Sequence, residues 1–394
     1  MRAERMLLLA VLAAASAARA GGDPLAADTV RAKAVPGPIS ADPRSPMWDA
    51  IAPLAVTVSP QRSVRLHDRK ANEALDAAGP RTVSVRAAAS DSELAILLEW
   101  MDPTEDRASA TETDGHGDSA ALQLPLRFGA GIRLPYVGMG DEGMKVAIHL
   151  QRAVEGGTLG RDGIAAGFGT LTRADLGPTK VAMRHDPARG AWRAVFVRPL
   201  AAAGIDLRRG LVPFAVAVWD GARSERGGNK ALSGWKLLAI PGSAVDGAYA
   251  AELAWGRGPG ELGDPVRGKQ LVQGMCAACH RVAERRAAPP GLAPDLSAIG
   301  AIATPAYLRE SIVDPSAVVV PGSSAAQHQD RAKAVGPTGA YPASDAFVWY
   351  RRDASGAKVS KMPSYAGLPR EDVLSIVAYL ATLGVEPAGS GGKP

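Results

Sequence analysis

Between residues 56 and 240 the apolar positions come in short bursts separated by Gly, Pro and Asp. Thr82-Val83-Ser84-Val85-Arg86 alternates with period two, as a strand with one buried face does. Residues 94–98, 146–150, 194–197, 214–219 and 237–240 are further short apolar runs. Such runs with frequent turn residues predict an antiparallel β-sandwich. Residues 105–117 and 156–169 are polar or glycine-rich and read as loops. Helical signals in this half are weak.

The periodicity changes near residue 264. Residues 264–281 and 305–312 read as helices, and 370–383 is amphipathic, with Val373, Ile376, Val377 and Leu380 at i, i+3, i+4 and i+7. Before them, residues 256–263 read Gly-Arg-Gly-Pro-Gly-Glu-Leu-Gly, which packs poorly and suits a linker. The expected organisation is a β-sandwich domain over 21–255, a linker over 256–263 and an all-α domain over 264–386. A loose Gly/Pro-rich tail follows at 387–394.

Arg2 and Arg5 precede an apolar run over residues 6–15, and Ala18-Arg19-Ala20 is a small-x-small site. This pattern predicts a secretory signal cleaved after Ala20. The run is shorter than the ~18–20 residues of a membrane span, so the mature chain is expected in a periplasm, without a membrane span. The full sequence of 394 residues, 46% hydrophobic, is enough for two domains with packed cores. A net charge of +5, spread along the chain, gives no reason to expect nucleic acid. Two cysteines exclude a disulfide-rich scaffold and a four-thiolate cluster.

Both cysteines lie in Cys276-Ala277-Ala278-Cys279-His280. C-x-x-C-H is the pattern of covalent c-type haem attachment, with two thiols for one porphyrin and a His for its iron. A zinc site would need further ligands, and no second Cys pair exists. A redox dithiol would more naturally sit beside a βαβ unit, which the pattern does not suggest.

Over about residues 264–384 the chain resembles the monohaem class I cytochromes c. Pro294, in Ala293-Pro294-Asp295-Leu296, matches the loop that supports the proximal His. Met362, in Lys361-Met362-Pro363-Ser364-Tyr365, matches the distal ligand ahead of the last helix. His328 is the alternative sixth ligand. Residues 321–345 exceed the minimal family pattern and have no counterpart in it.

In the first half, five segments in order carry a second resemblance. They are Trp100-Met101-Asp102-Pro103-Thr104, the stretch 118–125 opening on Asp118, and Pro135-Tyr136-Val137-Gly138-Met139-Gly140-Asp141. Trp219-Asp220-Gly221 and the stretch 228–235 follow. Together they resemble the haem-b-binding gamma subunits of ethylbenzene dehydrogenase, dimethylsulfide dehydrogenase, and selenate and chlorate reductases. The match extends over about residues 48–254. Nitrite oxidoreductase gamma-type subunits, which can carry both haems, are similar in architecture. The resemblance implies a β-sandwich holding one non-covalent haem b between Met139 and Lys230. Lys236, Met101 and Met144 are rival ligands. The family's aromatic-rich strand is Val146-Ala147-Ile148-His149-Leu150 here, which loses aromatic surface and offers His149 as a competitor.

Two six-coordinate haems leave no open position for a substrate, so the expected role is electron transfer rather than catalysis. The resemblance implies a molybdenum-containing catalytic subunit and an iron-sulfur subunit as partners, with a soluble periplasmic carrier beyond. The alternative is a ligand-binding sensor or enzyme in which haem c is only an electron outlet.

Overall fold

The computed structural model describes residues 23–63, 69–109, 115–258, 260–283, 293–320 and 349–384. The expected signal at 1–20, His328 with the 321–345 stretch, and the 387–394 tail lie outside the described residues. Among the described residues no helix is long and apolar enough to cross a membrane.

The first half is built on a largely antiparallel sheet that folds into two layers. One layer runs in the order Lys180–Asp186, Ala191–Pro199, Glu93–Met101, Arg81–Ala89, Leu54–Pro60. The other runs Ala231–Leu232, Leu211–Trp219, Ser119–Pro125, Val146–Val154, Gly157–Ala165. Leu211–Trp219 is buried at every position, which explains its unbroken apolar run. Between the layers lie Val83, Val85, Ile96, Leu98, Leu122, Phe196, Phe214 and Val216. Each layer also buries part of its outer face. Trp48, Ile39 and Ile51 pack with Leu97 and Val195 on the first. On the second, Ala121, Val146, Ile148, Ala217, Trp219 and Trp235 form an apolar patch that includes Ile302 from the helical half.

The loop expected at 156–169 is largely a strand. Gly157–Ala165 pairs along its whole length with Val146–Val154, from Gly157 opposite Val154 to Ala165 opposite Val146. One of its glycines serves close approach: a Cβ at Gly163 would lie 2.5 Å from the Thr172 carbonyl oxygen. Helices also occur where none was read, at Arg69–Ala77 and Gly247–Ala254.

The helical half opens with Pro265–Leu271, whose Asp264 cap accepts the Val266 N–H at 2.8 Å. The helix expected to run to Arg281 instead widens into a π-turn over Val272–Cys276 and then unwinds toward His280. Pro305–Val313 and Arg370–Thr382 match the reading within two residues. The first and last helices cross at Gly268, where a Cβ would stand 1.8 Å from the Ser375 carbonyl oxygen. Only glycine permits that crossing. Val272, Leu308, Ile312, Val373, Ile376 and Leu380 form the core of this half.

Candidate functional site

The C-x-x-C-H segment follows the π-turn, and the His280 N–H donates to the Cys276 carbonyl at 2.9 Å. His280 is buried, and its Nδ1 lies 2.8 Å from the Pro294 carbonyl oxygen. A carbonyl can only accept, so Nδ1 carries the proton and Nε2 keeps the lone pair that a metal needs. Burial pushes the imidazole below its ordinary pKa and favours this neutral form. Pro294 therefore supports His280 as its loop position implied. Burial, with the neighbouring Cys279, pushes the Cys276 thiol up to about 11.

Met362 is half-buried, and its segment is pinned to the end of the Pro305–Val313 helix. Tyr365 donates its N–H to the Ile312 carbonyl at 3.0 Å, and the Ser364 hydroxyl donates to the Val313 carbonyl at 2.6 Å. Tyr365 packs in one cluster with Cys276 and Met275. Burial first, and then the two cysteines, raise its phenol pKa. The loop carrying Met362 thus faces the cysteine pair.

In the sandwich, Met139 sits in a tight turn with φ at +75°, a left-handed conformation that a long side chain rarely adopts. Several bonds hold it there. Gly140 donates to the Tyr136 carbonyl at 2.8 Å, and Gly167 donates to the Met139 carbonyl at 2.8 Å. The buried Asp141 carboxylate accepts the Tyr136 N–H at 3.0 Å and pairs with Arg133 at 2.6 Å. Backbone strain fixed by such surroundings is common at ligand sites.

Lys230 is 5% exposed. Its Nζ lies 5.1 Å from the Trp219 ring centroid and 5.9 Å from that of Phe168, and no carboxylate pairs with it among the described residues. Burial pushes the amine down to about 8, toward the neutral form that can ligate iron. Phe168 and Met139 share a cluster with Tyr136, while Trp219 and Met139 share the outer patch of the second layer. Met139 and Lys230 therefore meet the same aromatic lining.

The rivals are differently placed. Lys236 pairs with Asp28, which also pairs with Arg257. Met101 is 71% exposed. His149 does not compete: Val146 and Ile148 of its strand face the Met139 patch, so His149 points to the opposite side. There its Nδ1 bonds Asp162 at 3.0 Å. Phe168 was missed because it lies in the stretch taken for a loop. It supplies, with Trp219 and Trp235, aromatic surface absent from residues 146–150.

The helical half docks on this same patch. Ile302 and Ile299 join the cluster of Trp235 and Met139. The Tyr307 ring lies tilted against Tyr136 with centroids 5.6 Å apart, and Lys358 pairs with Glu142 at 2.6 Å.

These sites define a β-sandwich carrying a cytochrome c-type unit against its second layer. Residues 265–384 match the family model for cytochrome c. The chain is 31% identical over 239 residues to the gamma subunit of chlorate reductase from Ideonella dechloratans, an alignment covering 58% of this chain and 93% of that protein. The chain belongs to that gamma-subunit family. It is also 31% identical over 163 residues to a putative respiratory nitrate reductase heme subunit of Haloferax mediterranei, covering 39% of this chain and 54% of that protein. Against the dimethylsulfide dehydrogenase gamma subunit of Rhodovulum sulfidophilum it is 31% identical over 157 residues, covering 38% and 56%. The chain thus spans about half the length of these last two.

Proposed function

We propose that the protein is a periplasmic electron-transfer subunit with two haems, one covalent haem c and one non-covalent haem b. Cys276 and Cys279 would attach haem c, with His280 and Met362 as its axial ligands. Met139 and Lys230 would hold haem b on the second layer of the sandwich. Each haem supplies a one-electron iron couple, and the polypeptide supplies placement and tuning. The partners would be a molybdenum-containing catalytic subunit, an iron-sulfur subunit and a soluble carrier.

The observation that carries this reading is Lys230. A buried amine with no carboxylate among the described residues, near the rings of Trp219 and Phe168 whose clusters also include Met139, is costly unless something occupies it. Met139 and Lys230 would hold the iron of haem b, and Phe168, Trp219 and Trp235 would supply apolar aromatic surface for its porphyrin. The packing of Tyr307 and Ile302 onto the same patch supports a short route between the two centres.

The test is haem analysis of the mature protein. Acid–acetone extraction followed by a pyridine haemochrome assay should give one extractable haem b and one covalent haem c per chain. Haem that remains entirely covalent would overturn the sandwich assignment.

A further inference from the structure

Three of the segments that carry the gamma-subunit resemblance contain no haem ligand in this reading. They are those of Asp102, Asp118 and Asp220, and the fold brings them to one corner. Asp102 follows Glu93–Met101 of the first layer, while Asp118 precedes Ser119–Pro125 and Asp220 follows Leu211–Trp219 of the second. One ligand oxygen from each lies within 4.8 Å of the other two. Relative exposures are 3% for Asp102, 0% for Asp118 and 9% for Asp220.

Their hydrogen bonds leave one gap. Asp118 Oδ2 accepts from the Asp106 N–H and Trp192 Nε1, both at 2.8 Å, and Oδ1 accepts the Gly221 N–H at 2.8 Å. Asp220 accepts the Arg223 N–H at 3.2 Å and pairs with the Arg223 and Arg81 guanidiniums at 3.0 and 3.7 Å. Asp102 Oδ1 accepts the Thr104 N–H and hydroxyl at 3.2 and 3.1 Å. Asp102 Oδ2 is shut off from solvent and has no hydrogen-bond partner among the described residues. An unsatisfied buried carboxylate oxygen calls for a proton or a cation.

Charge favours a cation. Glu225 accepts the Asp220 N–H at 3.0 Å, and Asp106 accepts the Thr104 hydroxyl at 2.6 Å, so two further acids adjoin the cluster. Against these carboxylates stand Arg81, shared between Asp220 and Glu225, and Arg223. Burial and mutual repulsion raise the pKa of Asp102 and push Asp118 up to about 6. Calcium binds oxygens at about 2.3–2.6 Å in flexible geometry, so its ligands stand up to roughly 5 Å apart, the spread found here.

We propose that Asp102, Asp118 and Asp220 bind a calcium ion that ties strand ends of the two layers together. This site is independent of the haem b assignment. The test uses the full-length protein with its haems, stripped of metal by dialysis and titrated with calcium chloride. One calcium per chain should bind, and Tm should rise with calcium and fall with chelator. Asp102→Asn should weaken binding by more than the roughly 10–100-fold that losing an outer-sphere partner costs, with the haem c spectrum unchanged. Should that variant not fold, wild-type stoichiometry and the calcium dependence of Tm decide. No binding at millimolar calcium with a chelator-indifferent Tm would overturn the proposal and leave Asp102 with a proton. So would undiminished binding by a folded Asp102→Asn protein.

Discussion

At the scale of single residues, two lysines six positions apart have opposite surroundings. Lys236 has Asp28 beside it, whereas Lys230 has aromatic rings and no carboxylate among the described residues. The folded pKa of Lys230, about 8, lies below the unfolded value near 10.5. Between these values the unfolded chain binds more protons, so stability without haem b rises from about pH 8 to pH 10.5. Below pH 8 the cost of burying the charge is fully present. A drop of about 2.5 pKa units corresponds to roughly 3 kcal/mol. Urea midpoints of haem-b-free protein should show this rise, and Lys230→Met should flatten it. On the other haem, Met362→Ala should lower the haem c potential and open a coordination position, with both thioether bonds and haem b retained. An unchanged haem c spectrum and potential would move the distal ligand to His328 or to another residue.

Secondary-structure elements divide by how local their signal is. The strand at Arg81–Ala89 was legible because alternation and burial share a period, and Arg370–Thr382 because its apolar stripe faces a core. Gly157–Ala165 was not legible, since its three glycines interrupt any apolar pattern and the one at 163 answers to the Thr172 backbone of a neighbouring strand. Cys276, Cys279 and His280 stand out by their spacing, because the proposed covalent attachment would need them close together in sequence. Met139 and Lys230 came only through family resemblance: each lies on a loop, and the positive φ and the missing counter-ion that mark them arise on folding. Gly268 shows the same dependence on a partner element. Gly268→Ala would drive a Cβ into the Ser375 carbonyl and force the crossing helices apart. Overpacking of this kind costs roughly 1–3 kcal/mol or more. A thermal melt followed at the haem c Soret band should shift down, while far-UV β signal from the sandwich persists to its own transition.

At the scale of the whole molecule, the cytochrome-like half covers the face of the sandwich that holds Met139 and adjoins Lys230. The contact is made by the buried Ile302 and the half-buried Tyr307 rather than by the Lys358–Glu142 pair alone. Surface ion pairs contribute little by themselves, so the apolar contact determines how the halves are held. Both irons are six-coordinate in this account, and the fully reduced protein should not bind carbon monoxide. A stoichiometric carbon monoxide complex at the extractable haem would instead favour a ligand-binding or catalytic role.

The most direct measurement is the haem b content of two variants, Lys230→Ala and Lys236→Ala, each purified with haem c as the internal standard. A lysine serving as iron ligand cannot be replaced by Ala without leaving the iron open, whereas Lys236 pairs with Asp28, which Arg257 continues to hold when Lys236 is removed. Lys230→Ala should lose haem b or its low-spin spectrum while haem c stays at one per chain, and Lys236→Ala should keep both haems. A wild-type low-spin haem b in Lys230→Ala would contradict the account, most sharply if Lys236→Ala were the variant that lost it.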